Sequence, residues 1–155
     1  MLWLSPWSWP SSWSASDSPA TTTPTGAQRA TDVCEQGLSR ARDALRAGDA
    51  IGPDEKRALD VYAGATEIES DVLAELEALG RPAADEQAIA ETLAIVGDSH
   101  EQDLETIRSL RRKFDQALFE RRVNATVPVL VELRSRFRAL GASGCVSYYD
   151  PNAYR

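Results

Sequence analysis

A single histidine, His100, is all the imidazole this chain has, and that scarcity removes most metal and acid–base chemistry at the outset. Four-helix di-iron proteins draw Glu-x-x-His pairs from two helices. One histidine cannot supply both, and the residue three before His100 is Gly97. Cysteine is nearly as scarce. Cys34 and Cys145 have neither a histidine nor a second cysteine close in sequence, which argues against a thiolate metal site or a redox pair. Missing too are a Gly-rich phosphate loop, a G-x-S-x-G elbow, an H-E-x-x-H helix and an EF-hand loop. No base, nucleophile and orienting group can be assembled, so the reading is a non-enzyme with no catalytic, cofactor-binding or metal residues. A net charge of −7 argues against nucleic acid as the partner, since phosphate binding wants a basic surface.

What is present is helical patterning on a chain of one domain's length. The 155 residues are enough for a single core, and a hydrophobic content of 43% fits a folded chain rather than a disordered one. The strongest signal is residues 84–120, where Ile89, Leu93, Val96, Leu104, Ile107, Leu110, Phe114 and Leu118 recur at helical steps. Gly97-Asp98-Ser99 offers a kink, but the unbroken stripe predicts one long helix that needs partners on its oily side.

Three further helices supply them. The first is predicted over residues 28–47, with Val33, Cys34, Leu38, Ala41 and Leu45 inward and Gly48 as its stop. The second runs from Pro53, which suits a first turn, to Leu79, burying Leu59, Tyr62, Ala65, Ile68, Val72, Leu76 and Leu79. Gly80-Arg81-Pro82 breaks the chain before the long helix. A fourth helix is expected to start at Asn124 or Thr126 as N-cap, with Pro128 in its first turn, and to bury Val129, Leu130, Leu133, Phe137 and Leu140. Asn124-Ala125-Thr126 also matches a glycosylation sequon, which helix capping explains better. Short turns between long amphipathic helices make antiparallel neighbours. The fold class is therefore all-α, an up-down-up-down four-helix bundle over residues 28–146 with a disordered N-terminal tail at 1–27 and a C-terminal tail at 147–155.

The tail has two parts. Residues 1–13 hold all four tryptophans and two prolines, too short and interrupted to span a bilayer. They read as the end of an export signal that starts upstream, as a Trp-rich interfacial anchor, or as disordered sequence. Residues 14–26 are rich in Ser, Thr and Pro and read as a flexible tether.

Cys34 and Cys145 bracket almost the whole helical region. That placement reads as a disulfide staple, and two separate buried thiols are the other arrangement the sequence allows. His100 continues the apolar stripe; it reads as a partly buried histidine bonded to Tyr62, Thr66 or Glu67, or alternatively as part of a small-ligand or metal site between helices. Residues 54–105 carry fifteen acidic and three basic side chains, and residues 106–140 nine basic and three acidic. A bipolar docking surface is one reading. Internal compensation, with Arg134, Arg136 and Arg138 lying near the acidic helices, is the favoured one. Residues 107–122 resemble a basic membrane-surface helix, but their apolar face is already assigned to the core.

The helix opening Thr31-Asp32-Val33-Cys34, the break Leu79-Gly80-Arg81-Pro82, and Arg138-Ala139-Leu140-Gly141 leading to Cys145 form a recognisable set. Together they resemble uncharacterised actinobacterial secreted or lipoprotein-like helical bundles, which carry one cysteine in the first helix and a glycine-then-cysteine ending. The likeness covers residues 31–146. It implies an exported, disulfide-bonded bundle at the cell envelope or outside the cell, often tethered through a lipidated cysteine, and implies no particular activity. No cysteine precedes Cys34 here, a departure from the lipidated pattern. The expected role is interaction with a protein or envelope component, with any membrane contact through the N-terminal tail.

Overall fold

The computed structural model describes residues 24–49 and 55–153, so the expectations for residues 1–23 and for the first interhelical turn lie outside the described residues. Four long helices follow one another: α1 (Gly26–Asp49), α2 (Glu55–Ala78), α3 (Glu86–Arg112) and α4 (Gln116–Ala139). A short α5 (Ser143–Tyr148) comes after them, and no strand occurs among the described residues. The architecture is the up-down-up-down four-helix bundle. Each helix packs on the next, and α5 lies against both α1 and α4, closing the ring between first and last.

Local chemistry sets the ends. Helix α1 opens at Gly26 rather than residue 28, because Thr25 and Gln28 form a capping box. The Gln28 amide donates to Thr25 Oγ1 at 3.2 Å and the Thr25 amide to Gln28 Oε1 at 2.8 Å. Gly48 does not stop α1, which runs on to Asp49. Helix α4 ends in a Schellman turn. Gly141 takes φ +74°, its amide donates to the Arg138 carbonyl, and the Ala142 amide donates to the Phe137 carbonyl at 3.0 Å.

The long helix predicted over residues 84–120 is two helices. Lys113 is extended, and the Asp115 carboxylate accepts from the Leu118 amide at 3.0 Å, capping a new helix about nine residues before the nearer predicted N-cap, Asn124. The apolar period survives the turn because Phe114, Leu118 and Phe119 fold back onto Leu110 and Ile107 as one cluster. Pro128 consequently lies inside α4, and Thr126 bonds back to the Arg122 carbonyl instead of capping. A proline in a helix interior costs about 3 kcal/mol, offset by up to about 1 kcal/mol from the stiffer unfolded chain. Pro128→Ala is therefore expected to raise stability by about 2 kcal/mol, read as a higher urea midpoint at unchanged slope.

The core is in two parts. The larger joins Val33, Cys34, Leu38, Val72, Leu76, Leu93, Val96, Leu133 and Phe137 to the C-terminal segment. The smaller, at the α3–α4 turn, is built on Leu59, Ala63, Ile107 and Leu110. The C-terminal tail from residue 147 folds back and contributes core: Tyr148 and Tyr149 are buried, and the Tyr149 ring stacks on Phe137 with centroids 5.3 Å apart. Two glycines let α5 and α2 approach α1. A Cβ on Gly144 would sit 2.3 Å from the Thr31 carbonyl oxygen, and one on Gly37 would sit 2.4 Å from Val72 Cγ2.

Candidate functional site

Between the two apolar clusters runs a layer of polar side chains, and Arg122 on α4 is its centre. Arg122 is 8% exposed and Asp103 on α3 is 6% exposed, so this is a buried ion pair rather than a surface one. Arg122 Nε donates to Asp103 Oδ1 at 2.5 Å, Nη1 to Gln102 Oε1 at 2.9 Å, and Nη2 to both the Ser99 carbonyl at 2.7 Å and Ser99 Oγ at 3.0 Å. The Tyr62 hydroxyl on α2 donates to the same Asp103 oxygen. One guanidinium thus binds α3 along more than a turn, and one carboxylate ties α2, α3 and α4 together.

Burial leaves its mark on these groups. Burial, and then the Asp103 carboxylate accepting its proton, push the Tyr62 phenol well above its ordinary value. Burial works against the Arg122 charge, but Asp103 more than restores it, and the guanidinium pKa is raised.

His100 lies one turn along α3 from Asp103, 8% exposed. Its Nδ1 faces Glu69 Oε2 at 3.6 Å, an ion pair rather than a hydrogen bond. Tyr62 and Thr66, two of the partners expected from sequence, bond elsewhere, Tyr62 to Asp103 and Thr66 to the Tyr62 carbonyl. Asp103, one turn further along α3, takes the Tyr62 hydroxyl and leaves His100 facing Glu69. The neighbouring Glu69 carboxylate raises the imidazole pKa above its ordinary value, against the opposing effect of burial. A raised folded-state pKa means stability present below the ordinary histidine range near 6.5 and lost as pH rises through the folded value. Wild type is therefore expected to exceed His100→Gln in urea midpoint at pH 5.5 by more than at pH 8.5. An unchanged gap between the two pH values would remove the ion pair from the account.

Among the described residues no group of three or more His, Cys, Asp or Glu side chains converges to hold a metal ion. Nor is any described helix long and apolar enough to cross a membrane. The two cysteines do meet: Cys34 on α1 and Cys145 on α5 form a disulfide, their Cα atoms 4.9 Å apart and 111 residues separated in sequence. The acidic and basic halves compensate in part. Arg136 pairs with Glu91 on α3 at 3.4 Å, whereas Arg134 reaches Asp150 in the C-terminal segment at 3.1 Å, not an acidic helix.

A largely apolar cleft opens at the end of the bundle where α1 begins, its lining residue Leu93 about two turns of α3 from His100. It encloses about 230 Å³ between Leu76, Leu79, Ile89, Leu93, Phe137 and Leu140, with Thr25 and Asp85 at polar positions. Sequence reasoning placed a cavity near His100 and did not find this one. Its walls come from four helix ends that only the fold brings together.

No protein-family model, curated protein or solved structure matches this chain.

Proposed function

We propose that this chain is an exported, non-catalytic helical bundle that works by binding a protein or another component of the cell envelope. The observation that carries the reading is the Cys34–Cys145 disulfide, which ties the first helix to the last and belongs to an oxidising compartment. The side chains buried between helices are engaged with one another. Arg122, Asp103, Tyr62 and Ser99 satisfy each other, which suits a scaffold more than a reaction centre. The actinobacterial resemblance points the same way, and the acidic overall charge favours a protein or envelope partner over nucleic acid. Fractionating the native host and alkylating free thiols in each fraction tests this. The reading predicts the chain outside the cytosol with both cysteines protected until reduced. A cytosolic chain with two reactive thiols would overturn it in favour of an intracellular adaptor.

A second reading has its own observation, the cleft between Leu76, Leu93 and Phe137, whose lining is largely apolar. Such a cleft suits carriage of a small apolar ligand. Titration with a hydrophobic fluorescent probe, with Leu93→Arg as control, distinguishes the two: saturable binding lost in the variant supports carriage.

A further inference from the structure

We propose that the chain pairs with a second copy of itself through the outer face of α4, the two helices lying antiparallel about a two-fold axis at Val127. Val123, Val127 and Val131 are 45%, 43% and 56% exposed, three large hydrophobic side chains in solvent at four-residue spacing. At about 100° per residue they fall within roughly 40° of Val127, while the buried Leu133 lies about 120° around the helix. The valines form an apolar stripe ~12 Å long on the solvent-exposed flank of α4, beside the core-packed Leu130 and Phe137.

The charges on that face select the partner. Glu120 lies on the same line before the stripe, and Arg134 and Arg138 lie on it after. A parallel pairing would set Glu120 against Glu120 and arginine against arginine. An antiparallel pairing about Val127 sets Val123 against Val131 of the second copy, Glu120 against its Arg134 and Gln116 against its Arg138. A surface that is acidic at one end, basic at the other and apolar between is complementary to itself, as a two-fold interface requires. Arg134 already pairs with Asp150 of its own chain at 3.1 Å, so Glu120 of the second copy would share that guanidinium. The stripe is narrow, so the pairing belongs to the weak, reversible class. It holds or fails independently of where the protein works.

Sedimentation equilibrium of the full chain from about 1 µM to about 1 mM tests it, with circular dichroism reporting the fold of each variant. Wild type is expected to pass reversibly from monomer to dimer. Val127→Asp is expected to leave folded monomer throughout, and Leu104→Ser, at an exposed apolar residue on α3, to dimerise like wild type. Glu120→Arg is expected to weaken pairing roughly fivefold or more, from two lost rim pairs. A wild-type chain monomeric across the range, or a dimer that survives Val127→Asp, overturns the proposal. A dimer indifferent to Glu120→Arg overturns the antiparallel arrangement.

Discussion

Arg122→Met is expected to lower the free energy of unfolding by about 3–5 kcal/mol. The loss comes less from the missing attraction than from what remains: Asp103, 6% exposed, would keep a charge in the interior with only the Tyr62 hydroxyl to meet it. Ser99 Oγ and the Gln102 amide would lose their donor as well. Removing the whole set has a different outcome. Arg122→Met combined with Asp103→Leu and Tyr62→Phe leaves no buried charge behind, and replacing such a network with packed apolar side chains is often neutral or better. The triple variant is therefore expected to recover most of the loss in equilibrium urea unfolding. If the single and triple variants are equally weakened, the layer contributes net stability and the desolvation argument is wrong. If the triple variant is stable, the layer serves register: one carboxylate and one guanidinium set the heights at which α2, α3 and α4 meet.

The second large effect belongs to the disulfide. Closing a loop of this length constrains the unfolded chain, and Cys34→Ser with Cys145→Ser is expected to cost about 4–5 kcal/mol. Reducing the wild type should reproduce that shift, and reductant should leave the double variant unchanged. Both cysteines are fully buried and Gly144 packs on the Thr31 carbonyl, so detachment of α5 is expected to accompany the loss. Fluorescence quenching of Tyr148 and Tyr149 would register it, because both rings are covered by that docking.

The helices were readable because their apolar residues keep helical spacing wherever the core needs them. Val33, Leu38, Val72, Leu76, Val96 and Leu133 are buried where the pattern put them. The α3–α4 turn was unreadable for the same reason. Phe114 and Leu118 extend the period across a break made by Lys113 and Asp115, since the chain folds back onto the cluster it has just left. Leu104, assigned to the stripe, is 40% exposed, whereas Asp103 takes the inward position. From Val96 the helix turns about 700° to Asp103, nearly two whole turns, but about 800° to Leu104. A search for hydrophobic residues prefers the leucine over the aspartate that geometry selects. Arg122 hid likewise, inside a basic run that reads as solvated surface. Once α4 is known to begin at Gln116, Arg122 falls on the same face as Thr126, Leu133 and Phe137, and its burial becomes legible. Helix α5 is six residues with Ser and Gly, too short for any period to show.

The most direct test of the account is a non-reducing tryptic digest of the protein taken from its native compartment, analysed by mass spectrometry. The account predicts one species joining residues 30–40, which contain Cys34, to residues 139–155, which contain Cys145, and its separation into two peptides on reduction. Recovery of the two peptides unlinked, with both thiols open to alkylation before reduction, would contradict it.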